Sequence, residues 1–289
     1  LVGLAPGGGT DIQARLIAQK MSDNLRRSFV VENRTGAGGT VAYAAVARSQ
    51  PDGYTLLAVA SGFSITPALY SKLPYDPIKD FAPISLIVQT PLLMMTHPSL
   101  PVKSVKDLVA MAKARPGSLD SCSAGQGTTP HLALELFNIM AGTRIVHVPY
   151  KGTGQALIDL MAGQVQMGFG NILASLPHVR SGRLKALATT GAKRTVALPD
   201  LRTVAESGVP GYETTTWHAW LAPAGTPENV IHKLDAELAL TLKSRDVGER
   251  LTEDGGELVG SPPEQLHQLL VAEIARWRKV VQQAGIRIE

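Results

Sequence analysis

Two glycine-rich segments, each leading into an apolar-periodic stretch, constrain the fold of this chain more than any other feature. They run from Pro6 to Asp11 and from Ser123 to His131. A short apolar stretch, a tight glycine turn and a helix start in succession predict an α/β fold, and the helix dipole at such a turn favours a negatively charged ligand. Neither segment contains the Gly-Lys-Ser/Thr sequence of a nucleotide P-loop. The two segments therefore predict two anion-binding loops that bind an acid without catalysing a reaction on it.

The composition of the chain narrows its class. The 289 residues, 44% of them hydrophobic, provide enough apolar material for one large or two medium domains. A formal net charge of +4 comes from scattered basic residues, which argues against binding to nucleic acid. Because Cys122 is the only cysteine, no internal disulfide can form. We expect its side chain to be buried and to pack in the core rather than to act as a nucleophile. The sequence has no apolar run of about 18 residues of the kind that spans a membrane.

Helix-like and strand-like patterns alternate along the chain. The apolar residues of 11–25 form a helical stripe, and Thr10 with Gln13 has the spacing of a capping box at its start. Ser104 is placed to cap a second helix, over residues 105–114. This alternation predicts right-handed crossovers and mainly parallel sheets.

The same pattern predicts two α/β domains. Residues 97–101 and 217–222 are interpreted as two crossings between them. Domain I then comprises residues 1–100 and 220–289, with the last helices packed back onto its sheet, and domain II comprises residues 101–219. A ligand is expected in the cleft at the carboxyl ends of the strands, where both glycine turns lie.

The residues that we predict to bind the ligand belong to the two turns, together with three residues chosen by position. They are Pro6, Gly7, Gly8, Gly9, Thr10, Asp11, Ser61, Ser123, Gly125, Gln126, Gly127, Thr128, His131, Asn171 and Trp217. Several have a second interpretation, which the sequence leaves open. Asp11 complements the helix dipole, holds the loop shape or accepts a ligand ammonium group; His131 is a ligand donor or braces its loop; Trp217 fills the core or forms a cleft wall.

The sequence offers no catalytic machinery. The seven histidines are dispersed, and neither a G-x-S-x-G elbow nor a Cys/His signature is present. Pro130 stands where a dinucleotide-binding fingerprint would need its third glycine. We therefore predict a binding protein with no cofactor, metal or catalytic residue. An α/β enzyme acting on a small organic acid is the alternative, and a co-inducer-binding domain of a transcription factor is a third class.

A series of motifs along nearly the whole chain resembles the Bug family, the extracytoplasmic solute receptors of tripartite tricarboxylate transporters. The segments that carry this resemblance are 6–11 (PGGGTD), 31–39 (VENRTGAGG), 51–56 (PDGYTL), 73–76 (LPYD), 147–152 (HVPYKG), 182–188 (GRLKALA) and 198–208 (LPDLRTVAESG).

The resemblance implies a periplasmic binding protein with a two-domain Venus flytrap cleft, in which the first βα loop and the glycine turn of the second domain grip a ligand carboxylate. It also implies membrane permease subunits as partners. Because residues 1–5 read as the middle of a strand, we expect any export signal to lie outside this sequence. Gln166 and Gly170 stand where family members often carry Asp, so an amino-acid ligand is not favoured at this wall.

Overall fold

A computed structural model describes residues 1–253 and 255–286 of the chain. The helices are α1 (Gly9–Leu25), α2 (Thr40–Ala47), α3 (Gly62–Leu69), α4 (Val105–Ala114), α5 (Thr129–Ala141), α6 (Thr153–Met161), α7 (Ile172–Arg180), α8 (Glu228–Lys243), α9 (Arg245–Thr252) and α10 (Pro263–Ala284). The strands are β1 (Leu57–Ala60), β2 (Phe81–Thr96), β3 (Asp120–Ser123), β4 (Val146–Pro149), β5 (Met167–Asn171), β6 (Lys185–Thr189), β7 (Thr215–Pro223) and β8 (Glu257–Leu258). None of the helices in these residues is both long and apolar enough to cross a membrane.

The strands form a mixed sheet in the order β1-β7-β2-β5-β3-β4, with β6 and β8 also paired to β2. Within the described residues β3 is parallel to β4 and β5, whereas β2 is antiparallel to β5, β6, β7 and β8, and β1 is antiparallel to β7. The α/β class is confirmed, but the expectation of mainly parallel sheets is wrong. Alternation of strands and helices fixes direction only within a βαβ unit, whereas β2 runs opposite to each of its partners β5, β6, β7 and β8.

The long strand β2 joins the two halves of the sheet. Its residues from Phe81 to Pro91 pair with β7, and those from Leu92 to Thr96 pair with β5 and β6. The change of partner therefore lies inside one strand, upstream of the predicted crossing at 97–101. All of β7 pairs with the part of β2 from Phe81 to Pro91, and residues 218–221 of β7 also pair with β1. The domain boundaries themselves stay a prediction.

Buried apolar residues cover both faces of the sheet. Helices α1, α8 and α9 pack against one face of the β1–β7–β2 half, and α2 and α3 contribute to the aromatic cluster on the other face. Helix α10 takes part in two clusters: Leu266 and Leu270 pack with Trp217 in this aromatic cluster, whereas Trp277, Val280 and Val281 pack with α4 and α5. The last helix thus covers both halves of the sheet, and not the first half alone.

Helix limits follow local sequence where a capping side chain is present. Oγ of Ser104 accepts a hydrogen bond from the amide of Asp107 at 3.2 Å, so the predicted cap of α4 is confirmed. The predicted capping box of α1 is wrong, because Gly8 is the N-cap and no side chain caps it.

The strand expected near the N-terminus is reduced to isolated bridges, in which Val2 pairs in parallel with Asn33 and Ala58.

Candidate functional site

The first glycine turn is exposed and closes on itself. Gly7 has φ +78°, a left-handed conformation that a side chain would strain, and its amide donates to Oδ2 of Asp11 at 2.9 Å. The amide of Gly8 donates to the carbonyl of Ala5 at 3.2 Å. Two of the turn's own amides are therefore occupied within the turn and do not face a ligand.

Asp11 is buried and holds the shape of this turn. Besides the Gly7 amide, its carboxylate accepts hydrogen bonds from Nε of Arg15 at 3.1 Å and Nδ2 of Asn33 at 2.9 Å. The Arg15 side chain, with help from the Gly7 amide and Asn33, lowers the pKa of Asp11 to about 2 despite burial. These contacts favour the loop-holding interpretation of Asp11 over a role as acceptor for a ligand ammonium group.

The start of α1 leaves amides for an external acceptor. The first bond into this helix is donated by Ile12 to the carbonyl of Gly8 at 3.0 Å. The amides of Gly9, Thr10 and Asp11 therefore have no acceptor within the part of the chain that the structure describes. Gly9 has open space around its Cβ position, so a ligand can approach its backbone closely.

The second glycine turn is also held by internal hydrogen bonds. The amide of Gly125 donates to Oγ of Ser123 at 3.1 Å, and both the amide and the hydroxyl of Thr128 donate to the carbonyl of Gly125. The amide of Gly127 donates to Nδ1 of His131 at 3.0 Å. Gly125 and Gly127 have φ of +145° and +75°. The first bond into α5 is donated by Leu132 to the carbonyl of Thr128 at 3.0 Å, so the amides of Thr129 and His131 precede it and remain for a ligand.

The stacked imidazole rings of His131 and His147 support this second glycine turn. The rings of His131 and His147 lie 3.7 Å apart at an angle of 12°, and Nε2 of His147 is 2.6 Å from Oγ of Ser123. Burial lowers the pKa of His131 to about 3, with a smaller contribution from His147, and burial lowers the pKa of His147 to about 4. Both rings are neutral at pH 7, so His131 braces the loop as an acceptor.

His147 is a site residue that the sequence reasoning did not select. It lies in the segment 147–152 that carries the family resemblance, and its isolated position in β4 gave no reason to pair it with His131. The pairing follows from the parallel register of β3 and β4, which sets Ser121 beside His147 and brings the ring under the turn.

The start of α5 is tied to the other half of the sheet. Oγ of Ser61, which follows β1, and Oγ1 of Thr129 lie 3.1 Å apart, and both residues are buried. The parallel bridge between Val2 and Ala58 places the segment leading to the first turn beside the strand leading to Ser61. Both segments therefore end at the same edge, which brings the first turn and the start of α5 to one region.

The remaining predicted residues fall into different surroundings. Trp217 is 1% exposed and its indole N–H donates to Glu273 at 3.4 Å, so it fills the core and is not a cleft wall. Asn171 lines a cavity with Ser123, whereas Gln126 is on the surface of its turn. Gln166 stands in place of the expected Asp, and its side-chain oxygen Oε1 accepts a hydrogen bond from the amide of Asp120 at 2.8 Å.

Two cavities accompany these features. The larger, about 600 Å³, lies between α1, the segment 27–32 and β1, and includes neither glycine turn. The smaller, about 200 Å³, includes Ser123, Ala124 and Pro130 of the second turn and Asn171 at the end of β5. We assign the smaller cavity to the site, because position relative to the helix starts carries more weight here than size.

The family model for the tripartite tricarboxylate transporter family receptor matches residues 13–286. The chain belongs to this receptor family. The resemblance seen in the sequence motifs is thereby confirmed, together with the two-domain solute-binding fold. The family is one of solute receptors and not of enzymes.

Three individual proteins are similar to this chain over nearly its whole length. Protein BugT of Bordetella pertussis is 37% identical over 291 residues, which span 100% of this chain and 89% of BugT. The structure of R. palustris Rpa4515 with adipate is 41% identical, with a TM-score of 0.82 and coverage of 99% of this chain and 97% of Rpa4515. The periplasmic binding protein BugD is 36% identical, with a TM-score of 0.79 and the same coverage.

Proposed function

We propose that this receptor captures a small organic carboxylate between the starts of α1 and α5. The observation that carries the proposal is the hydroxyl pair of Ser61 and Thr129, which joins the start of α5 to the loop after β1, beside the segment that leads to α1. Helix N-termini favour anions, because their first amides lack intrahelical acceptors and the dipole is positive there. The adipate in the structure of R. palustris Rpa4515 supports a carboxylate as the ligand class.

The number of free amides at each helix start determines how much binding free energy that start contributes. A hydrogen bond to a charged group contributes about 1.5–3 kcal/mol net, and micromolar binding needs about 8 kcal/mol. Gly9, Thr10 and Asp11 together give about 4.5–9 kcal/mol before any ordering cost, which is marginal. Adding the amides of Thr129 and His131 raises the sum to about 7.5–15 kcal/mol, which lies mostly above the requirement, so we propose that the ligand holds both helix starts together.

The proposed domains move relative to each other around the ligand. Residues 1–100 with 220–289 carry the first turn, and residues 101–219 carry the second. The change of partner along β2 provides one connection between them. Closing of the second domain over the ligand buries the carboxylate, as in hinge closure of binding proteins.

We further propose that the receptor acts in the periplasm and delivers its ligand to the membrane permease of a tripartite transporter. The family description and the periplasmic relative BugD support this role. Transport of a radiolabelled acid into vesicles that contain the candidate permease, with and without the receptor, tests the delivery step.

Isothermal titration calorimetry with a panel of organic acids, paired with NMR of the same mixtures, tests the binding function. The expected result is one-to-one binding of an acid that the NMR spectrum returns unchanged. Product signals would instead support an enzyme acting on a small organic acid. Failure of every carboxylate to bind at millimolar concentration would contradict the proposal.

A further inference from the structure

The cavity beside the second glycine turn has a polar mouth and an apolar floor. Thr153, Asn171 and Thr216 line it and are partly or fully exposed. Other lining residues are almost fully buried, at 8% exposure or less: Leu92, Met95, Ala156, Leu157 and Phe169. This gradient of exposure orients the cavity, with the polar groups toward water and the apolar groups inside.

The cavity is continuous with the proposed carboxylate site. Ser123 and Ala124 of the turn line it, and so does Pro130, the neighbour of Thr129 at the start of α5. An acid held by the amides of Thr129 and His131 therefore has this cavity beside it.

The floor disfavours a second negative charge. Cys122 lines the floor, and burial raises the pKa of its thiol to about 12, with a smaller contribution from the Asp159 carboxylate, so the thiol is neutral at pH 7. A carboxylate placed at this floor would lose its hydration against apolar walls.

The wall at Gly170 is closed to a larger or charged side chain. A Cβ at this position would lie 2.8 Å from Cε of Met95 and 2.9 Å from Oγ of Ser175. The methionine methyl group and the buried Ser175 hydroxyl therefore lie close against the glycine backbone at the place where the resemblance leads one to expect Asp.

We infer that this receptor selects monocarboxylates with an apolar tail of about five to six carbon atoms, the tail occupying the cavity and the carboxylate the helix starts. An apolar cavity of about 150 Å³ holds the six carbon atoms of benzene, so the apolar floor of this cavity of about 200 Å³, with its polar mouth left to water, holds a tail of that size. The inference rests on the proposed function and names the ligand class of that site.

A chain-length series measured by calorimetry on the intact protein tests the inference. Affinity is expected to rise by a factor of about three to four per methylene group from propanoate to hexanoate and to stop rising by octanoate. Adipate, which replaces the terminal methyl group of hexanoate by a carboxylate, is expected to bind at least about tenfold more weakly than hexanoate. Tighter binding of adipate would overturn the selectivity while leaving the carboxylate receptor intact. Absence of binding by every acid would overturn both.

Two Ala→Leu substitutions, one in α6 and one just after it, test where the tail lies. Ala156→Leu fills the floor, so hexanoate is expected to lose at least about tenfold in affinity while propanoate changes by less than about twofold. Ala162→Leu adds the same side chain at an exposed position at the end of this helix and is expected to leave both unchanged. Equal losses for the two acids in Ala156→Leu would overturn the placement of the tail. Should that variant not fold, the chain-length series on the unaltered protein still decides.

Discussion

The imidazole rings of His131 and His147 stack face to face, with 3.7 Å between their centres, beneath the second glycine turn. Each ring holds a different part of that turn, since His131 accepts the Gly127 amide and His147 bonds to the Ser123 hydroxyl. The turn keeps its shape only while Nδ1 of His131 is unprotonated, because a protonated nitrogen has no lone pair for the Gly127 amide.

Acid is expected to destabilise the fold through this pair. The folded-state pKa values of about 3 for His131 and about 4 for His147 lie below the ordinary value of 6.5. The unfolded chain therefore binds more protons, and stability falls as the pH drops below 6.5 until the folded-state values are reached.

Urea unfolding at pH 7, 5.5 and 4.5 measures this dependence in the unaltered protein and in His147→Phe. The variant is expected to lose less stability per pH unit, by under about 1.4 kcal/mol, because His147 keeps some solvent contact. Burial also lowers the pKa of His218 to about 4, but this residue contributes to both proteins and cancels in the difference. Equal pH dependence in the two proteins would contradict the assignment.

Gly9→Ala is expected to separate stability from binding. The Cβ meets nothing within 4 Å and the backbone is helical, so the variant gains up to about 1 kcal/mol in free energy of unfolding. The same methyl group stands where the ligand approaches, so affinity for the bound acid is expected to fall at least about tenfold. Gly8→Val is less informative, because its Cβ would lie 3.3 Å from the Ala5 carbonyl.

Gly154→Ala is the matched control for that variant. Gly154 lies in the first turn of α6, also with open space at its Cβ position. It is expected to show the same gain in melting temperature with unchanged ligand affinity. Unchanged affinity in Gly9→Ala as well would remove the α1 start from the site.

Asp11→Asn is expected to loosen the first turn. The uncharged amide replaces a carboxylate that accepts hydrogen bonds from Gly7, Arg15 and Asn33, so the free energy of unfolding should fall by about 1–3 kcal/mol at pH 7. The Asp11 contribution is present above its ordinary pKa of 3.8 and is lost as the pH falls toward about 2.

Hydrogen exchange of the Gly7 amide reports the effect of Asp11→Asn directly and should become faster. Asp246→Asn is the control, because Asp246 forms an exposed ion pair with Lys20 that is worth little. Similar stabilities of the two variants would show that Asp11 does not hold the turn.

Ser61→Ala and Thr129→Val are expected to weaken the tie between the two halves of the sheet. Their hydroxyl groups are buried and 3.1 Å apart, so a double-mutant cycle on unfolding should give a coupling of about 0.5–1.5 kcal/mol. Small-angle scattering should show a larger radius of gyration for each single variant. Additive stabilities with unchanged scattering would rule out the tie.

The sequence by itself determined the features that depend on neighbouring residues. Ser104 caps α4 through an amide three residues away, and Gly142 ends α5 in a left-handed conformation that glycine adopts readily. The glycine turns and the order of motifs likewise identified the receptor family, because they are contiguous in the chain.

Only the tertiary structure decided which distant residues meet. Strand β2 changes partner between Pro91 and Leu92, and its partners lie far along the chain, so no local pattern encodes their direction. The same holds for the pairing of His131 with His147 and for the burial of Trp217 against Glu273. Caps and turns are fixed by bonds within a few residues, whereas pairing and burial depend on how the whole sheet closes its core.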